Sequence, residues 1–98
     1  MQPLGAVVPS AVRMLLRQGE MSPGKLEFAW GAAVGPAVQR ATTVTMREDG
    51  TVLVGADDPV WRREVRRSLP VIRERLQELL GRDAIRSVRI VGRPRARS

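Results

Sequence analysis

Two pairs of arginines follow a tryptophan in the stretch DDPVWRREVRRSLP, residues 57–70. The guanidinium group of arginine is a planar fork of N–H donors that matches the oxygens of phosphates and carboxylates, and it stacks on nucleic-acid bases. A cluster of such groups is typical of a surface that binds a nucleic-acid backbone or an acidic protein. The alternative is a solvated helix face whose arginines lie along the edge of the core. The cluster consists of Arg62, Arg63, Arg66 and Arg67.

Two adjacent carboxylates, Asp57 and Asp58, are of a type that serves in acid–base catalysis or binds a metal ion. Asp58 directly precedes Pro59 at the start of a helical pattern, however, and an aspartate in this place is typical of a helix N-cap. The chain has no cysteine and no histidine, which excludes disulfides, thiolate chemistry, the usual zinc sites and Ser-His or Cys-His nucleophiles. We therefore expect a protein that is not an enzyme and that uses no cofactor, metal or small-molecule substrate.

The net charge of +7 comes mainly from the C-terminal part of the chain, where residues 81–98 hold six arginines and a single aspartate. A second excess lies in residues 59–67, which hold four arginines and one glutamate. Of the 17 basic residues 16 are arginine, a ratio that a GC-rich genome would also produce. Such a codon bias explains the choice of arginine over lysine, but it explains neither the size of the net charge nor its position.

A helical projection at 100° per residue separates the residues of the arginine-rich stretch. With Arg62 at zero, the apolar residues fall between about −100° and −20°, which predicts a core face. Arg66 and Arg73 border that face at about +40° and +20°, whereas Arg63 and Arg67 point outward at about +100° and +140°. The tryptophan is therefore expected in the core and not as a base-stacking platform. The predicted core face consists of Trp61, Val65, Leu69, Ile72, Leu76 and Leu79.

Two helices are predicted ahead of this stretch. The first covers residues 9–18, and the second begins at Ser22-Pro23, where serine is a good N-cap and proline fits the first turn. Gly35-Pro36 is expected to interrupt the second helix near its end. Trp30 lies on the apolar stripe of the second helix, which favours burial over base stacking. The apolar faces are Val12, Leu15 and Leu16 in the first helix, and Leu26, Trp30, Ala33, Val34, Ala37 and Val38 in the second.

A hairpin, a long helix and a last strand complete the pattern. Threonines and valines alternate on both sides of Asp49-Gly50, a dipeptide that favours a tight turn with glycine at positive φ. The long helix is predicted over residues 59–80, with a bend at Pro70. In the last strand, over residues 84–91, Arg89 lies on the side opposite the apolar residues.

The order helix–helix–strand–strand–helix–strand predicts an α+β fold, a two-layer sandwich whose three-stranded sheet is covered by helices on one face. We expect one domain over residues 1–91. Residues 92–98 form a short basic tail, which contains Arg93 and Arg95 and is expected to be disordered. No apolar run approaches the roughly 20 residues that span a bilayer, and no signal-peptide pattern is present, so we expect a cytoplasmic protein without membrane contact.

The ordered set of motifs resembles the DciA family of bacterial proteins, which load or operate the replicative helicase. The matching stretches are AWGAAVGPAVQRAT at 29–42, EDGTVLVGADDPVWRREVRRSLPVIRERL at 48–76 and AIRSVRI at 84–90. They follow the family's pattern of a Trp-x-x-x-Val-Gly helix, a hairpin with an Asp-Gly turn, a long helix that begins with a tryptophan and ends in Leu-Leu-Gly, and a final strand. The resemblance covers residues 5–91.

The resemblance implies a KH-like α+β domain at the nucleoid and the replication fork. It implies binding of single-stranded and fork DNA, contact with the hexameric DnaB-type replicative helicase, and no nucleotide hydrolysis by this chain. The arginine-rich helix matches the long basic helix of the family by position, whereas the Gly-x-x-Gly loop of KH domains is absent because no two glycines lie three residues apart. The predicted nucleic-acid interface consists of Arg62, Arg63, Arg66, Arg67, Arg73, Arg89, Arg93 and Arg95.

Three functions fit this surface, and each makes a different prediction for binding. If five or six arginines contact single-stranded phosphates, the logarithm of the binding constant falls with the logarithm of salt concentration at a slope of about −4. A protein-interaction adaptor whose arginines meet an acidic surface would bind a protein partner but no DNA. An RNA-binding KH-like module would prefer RNA to DNA in a competition experiment.

Overall fold

The computed structural model describes residues 8–91, which form an α+β sandwich with helices on one face of a three-stranded sheet. The predicted fold class and the predicted order of helices and strands are confirmed. The predicted tail, residues 92–98, lies outside the described residues. The elements are α1 (Ser10–Arg17), α2 (Pro23–Val34), α3 (Pro36–Ala41), β1 (Thr43–Met46), β2 (Thr51–Gly55), α4 (Pro59–Leu80) and β3 (Ser87–Val91).

The sheet has the order β1-β2-β3, with β1 antiparallel and β3 parallel to the central strand β2. Val52 in the centre lies opposite Met46 of β1 and Val88 of β3. These side chains point towards the helices, because Val52 and Val88 are buried in the core and Met46 packs against it. Side chains alternate along a strand, so Leu53 and Arg89 project from the other face of the sheet.

The hairpin between β1 and β2 closes through a three-residue loop. The Arg47 N–H donates to the Thr51 carbonyl at 2.8 Å, and the Gly50 N–H donates to the Arg47 carbonyl at 3.0 Å. Gly50 has a φ of +90°, which confirms the prediction of a glycine turn at this position. The Asp49 carboxylate accepts the Thr51 N–H at 2.9 Å, and the hydrogen bonds from Thr51 hold the pKa of Asp49 below its usual value.

Two helices begin with the same capping device, as predicted. The Ser22 hydroxyl accepts the Lys25 N–H at 3.2 Å at the start of α2. The Asp58 carboxylate accepts the Val60 N–H at 2.8 Å at the start of α4, and Pro59 fills the first helical position. Such caps satisfy backbone donors that have no partner within the helix. The role of Asp58 is therefore helix capping.

Gly35 separates α2 from α3, which confirms the predicted interruption. Its φ of 90° and ψ of 163° lie in a region that only glycine adopts readily, and its N–H still donates to the Gly31 carbonyl at 2.8 Å. The change of direction also overturns one prediction. Ala37 is exposed rather than part of a continuous apolar stripe, because α3 does not extend the axis of α2.

The core lies between the sheet and the helices. Trp30 is only 1% exposed and donates its Nε1–H to the Thr42 hydroxyl at 2.9 Å, which confirms its predicted burial. Trp61 is half-buried, so its predicted place in the core is only partly confirmed. The prediction that Leu15 faces the core is wrong: it is 63% exposed, because α1 packs through the side that carries Leu16. The largest fully buried side chains are Trp30, Ile72, Leu76, Ile85, Val52 and Val54.

Candidate nucleic-acid interface

Helix α4 carries its apolar and its basic side chains on different sides. Val65, Ile72 and Leu76 are buried against the rest of the domain, as the helical projection predicts. Four arginines of the same helix are exposed, and three of them are close neighbours because residues three and four apart lie side by side on a helix. The fourth follows two turns further along. We name this set the α4 arginine face: Arg63, Arg66, Arg67 and Arg73.

One member of the α4 arginine face has a weak intramolecular partner. The Arg67 Nη1 atom lies 3.8 Å from the Glu64 Oε2 atom, and the two side chains are 69% and 51% exposed. An ion pair this long and this exposed contributes at most about 1 kcal/mol, and salt screens it. A phosphate or carboxylate that approaches Arg67 therefore meets little competition from Glu64.

Arg62 differs from its neighbours because its guanidinium group is engaged with the backbone. Its Nη2 atom donates to the Ala56 carbonyl at 2.9 Å and to the Asp57 carbonyl at 3.3 Å, and its Nε donates to Ala56 at 3.3 Å. The side chain is half-buried. Arg62 therefore ties the start of α4 to the loop that follows β2. Its guanidinium group has fewer N–H donors free for an outside partner than the guanidinium group of Arg63.

The other predicted interface residues do not all lie beside α4. Arg89 is exposed on β3, on the sheet face opposite the helices, so it does not share a surface with the α4 arginine face. Arg93 and Arg95 lie outside the described residues. Val91, the last described residue, pairs with Gly55 of β2.

A second group of arginines surrounds the C-terminal half of α4, and the sequence pattern did not single it out. Arg17 of α1 donates to the Glu78 carbonyl, and the Arg82 Nη1 donates to the Gln77 Oε1 at 3.3 Å. Together with Arg75 and two glutamates of α4, they line an open cavity of about 690 Å³. Arginines stabilise the partial negative charge at a helix C-terminus, and the glutamates offset their charge. We therefore interpret this second group of arginines as stabilising the C-terminal end of α4.

Within residues 8–91, no helix combines the length and the apolar character that crossing a bilayer requires. The same residues contain no group of three acidic side chains placed to hold a metal ion. The exposed arginines of α4 have a definite binding chemistry, which is the recognition of anionic oxygens.

A protein-family model described as Dna[CI] antecedent, DciA, matches residues 3–90. No curated protein and no solved structure matches the chain significantly. The family match extends from before α1 into β3 and includes the whole of α4. Because this match covers nearly the entire chain, the protein belongs to the DciA family of replicative-helicase loaders, which indicates a role in DNA replication.

Proposed function

We propose that the protein is a non-enzymatic accessory of DNA replication that binds single-stranded or fork DNA and engages the DnaB-type replicative helicase. We assign this activity to the cytoplasm, at the replication fork. The observation that carries the proposal is the α4 arginine face, in which four arginines of one helix project into solvent in a member of a helicase-loader family. The DNA contact is assigned to these four side chains.

The dimensions of the α4 arginine face suit a nucleic-acid backbone. Arg63 and Arg73 are ten residues apart, which separates them by about 15 Å along the helix axis. In the duplex arm of a fork, where the phosphates of one strand follow each other at about 3.4 Å along the helix axis, that length corresponds to about four phosphates. Contacts of this kind fix the position of a strand but carry no sequence information, so we expect binding with little sequence preference.

The remaining predicted residues have different places in this proposal. Arg62 supports the helix through its bonds to Ala56 and Asp57 rather than serving as a main contact. Arg89 lies on the opposite face of the sheet and contacts only DNA that passes around the domain. Arg93 and Arg95, which follow Val91 in the sequence, add positive charge to the chain.

The salt dependence of binding tests the DNA contact. We expect the full chain to bind a labelled single-stranded oligonucleotide with a slope of about −3 in a plot of log binding constant against log salt, because each of four phosphate contacts contributes roughly −0.7. Fluorescence anisotropy at a series of salt concentrations measures this slope. Absence of binding at physiological salt would support the adaptor function instead, and preferential displacement by single-stranded RNA would support the RNA-binding function.

The helicase contact is tested by a pull-down with the replicative helicase of the same organism, in the presence and absence of single-stranded DNA. We expect the helicase to be retained in both conditions, because the proposed contact is between the two proteins. Retention only in the presence of DNA would show that the strand alone links them. In that case the proposal of a direct helicase contact is incorrect, while the proposal of DNA binding stands.

A further inference from the structure

Strand β1 is an edge strand whose outer side carries backbone hydrogen-bonding groups that do not face β2. The Arg47 N–H donates to the Thr51 carbonyl at 2.8 Å, so Arg47 turns its backbone groups towards β2. In an antiparallel ladder this orientation alternates from one residue to the next. Thr45 and Thr43 therefore also turn their backbone N–H and C=O groups towards β2. The residues between them, Val44 and Met46, therefore turn their N–H and C=O groups to the outer edge.

A groove lies directly beside this edge. It has a volume of about 360 Å³ and is bounded by β1 on one side and by the start of α2 on the other. Apolar side chains line it: Leu26 of α2, Met46 of β1 and Met21, which precedes α2. We name this feature the β1 groove. An extended chain that paired with β1 would place every second side chain on the groove side of the sheet.

The rim of the β1 groove differs in charge from the rest of the molecule. The exposed carboxylates of Glu27 and Glu48 lie on it, together with the guanidinium group of Arg47. The rim thus has an excess of negative charge in a chain whose net charge is +7. Opposite charges across neighbouring strands stabilise pairing, and like charges oppose it.

We propose that the β1 groove binds an extended peptide segment of another protein, which pairs with β1 as a fourth strand. The segment places an apolar side chain in the groove and a basic side chain beside Glu27 or Glu48. In such strand addition the backbone hydrogen bonds supply affinity, and the pockets for alternate side chains supply selectivity. A second copy of this chain would bring the same excess of carboxylates to its β1 edge, so the charges favour a basic segment from a different protein.

This site is independent of the proposed DNA contact, because no residue of the α4 arginine face lines the groove. Its probe is a short labelled peptide in which valine alternates with threonine between two terminal lysines. A matched probe carries glutamates in place of the lysines. We expect the full chain to bind the lysine probe at least about tenfold more tightly than the glutamate probe, as measured by fluorescence anisotropy.

Two variants locate the binding. Met46→Pro removes an N–H that faces outward, so the ladder between β1 and β2 keeps its bonds while strand addition is blocked. We expect it to bind the lysine probe about tenfold or more weakly, with a circular-dichroism spectrum like that of the wild type. The double variant Glu27→Lys and Glu48→Lys leaves the edge intact and is expected to reverse the preference between the two probes.

The double variant decides the outcome if Met46→Pro does not fold. An unchanged preference for the lysine probe in the double variant would overturn the proposal. Undiminished binding of the lysine probe by a folded Met46→Pro variant would overturn it as well. So would a dimer in sedimentation velocity that dissociates in the Met46→Pro variant, because a second copy would then occupy the edge.

Discussion

The triple variant Arg63→Glu, Arg66→Glu and Arg67→Glu is expected to bind single-stranded DNA at least about 100-fold more weakly than the wild type. Each arginine–phosphate hydrogen bond contributes about 1.5–3 kcal/mol, and each glutamate adds repulsion, so the loss exceeds the roughly 2.7 kcal/mol that corresponds to this factor. The salt slope is expected to fall from about −3 to about −1, because only Arg73 of the α4 arginine face remains. Anisotropy titrations at several salt concentrations measure both changes.

A second triple variant separates the effect of position from the effect of net charge. Arg40→Glu, Arg47→Glu and Arg86→Glu also reverse three exposed arginines, and in both variants the net charge changes from +7 to +1. These three residues belong to α3, to the hairpin and to the loop before β3, and none of them is part of α4. We expect the control to retain most of the binding at physiological salt. Equal losses in both variants would mean that overall charge, and not the α4 arginine face, determines the affinity.

Arg62 is left unchanged in these variants for a structural reason. Its guanidinium group holds the carbonyls of Ala56 and Asp57, so its removal would leave backbone acceptors without this donor and loosen the start of α4. A loss of DNA binding after substitution of Arg62 would therefore have two explanations. Of the three exposed arginines, Arg67 makes only a weak ion pair with Glu64 at 3.8 Å, so reversal of the three charges affects folding much less.

Much of the fold could be predicted because its signals are local in sequence. The caps at Ser22 and Asp58, the turn at Gly50 and the break at Gly35 each depend on a few adjacent residues whose backbone preferences are strong. Helical periodicity likewise separated the buried side of α4 from its exposed arginines. The helical period shows only which residues share a side of a helix. For a long amphipathic helix such as α4, this is enough to predict which side is buried and which is exposed.

The features that could not be predicted depend on the path of the chain in space. The bonds of Arg62 need the carbonyl of Ala56, which reaches the helix only because the loop after β2 folds back against it. The separation of Arg89 from α4 depends on which face of the sheet the helices cover. Leu15 is exposed although it is apolar and adjacent to the buried Leu16. The sequence pattern of a short helix does not show how much of its surface the rest of the domain covers.

Trp61 illustrates the limit of the helical projection. At about −100° it lies at the margin of the predicted core arc, and it sits in the first turn of α4, where fewer neighbours surround the helix. The structure leaves it half-buried beside a shallow cavity of about 80 Å³ lined by Val34, Val38 and Glu64. It lies on a different side of the helix from Arg63 and Arg67, and the carboxylate of Glu64 stands between them. Its position favours packing over contact with a base.

The largest effect on stability is expected for Trp30→Ala, which should lower the free energy of unfolding by about 3–5 kcal/mol. Trp30 is almost completely buried, and its Nε1–H donates to the Thr42 hydroxyl, which in turn donates to the Val38 carbonyl at 2.7 Å. The alanine leaves a large cavity and removes the donor that satisfies Thr42. Because domains of this size are stable by only about 5–15 kcal/mol, the variant is expected to be partly unfolded at 37 °C. Urea denaturation followed by circular dichroism measures the change.

Trp61→Ala is the matched control, because it removes the same side chain from a half-buried place. We expect it to cost about 1–2 kcal/mol, since less apolar surface leaves the solvent when this ring packs. Trp30→Phe should fall between the two, because it keeps an aromatic ring in the core and loses the hydrogen bond to Thr42. Trp61→Ala should also keep the DNA affinity of the wild type. If it instead weakened DNA binding as strongly as the reversal of Arg63, Arg66 and Arg67, Trp61 would be part of the interface, and contacts by arginines alone would not explain the binding.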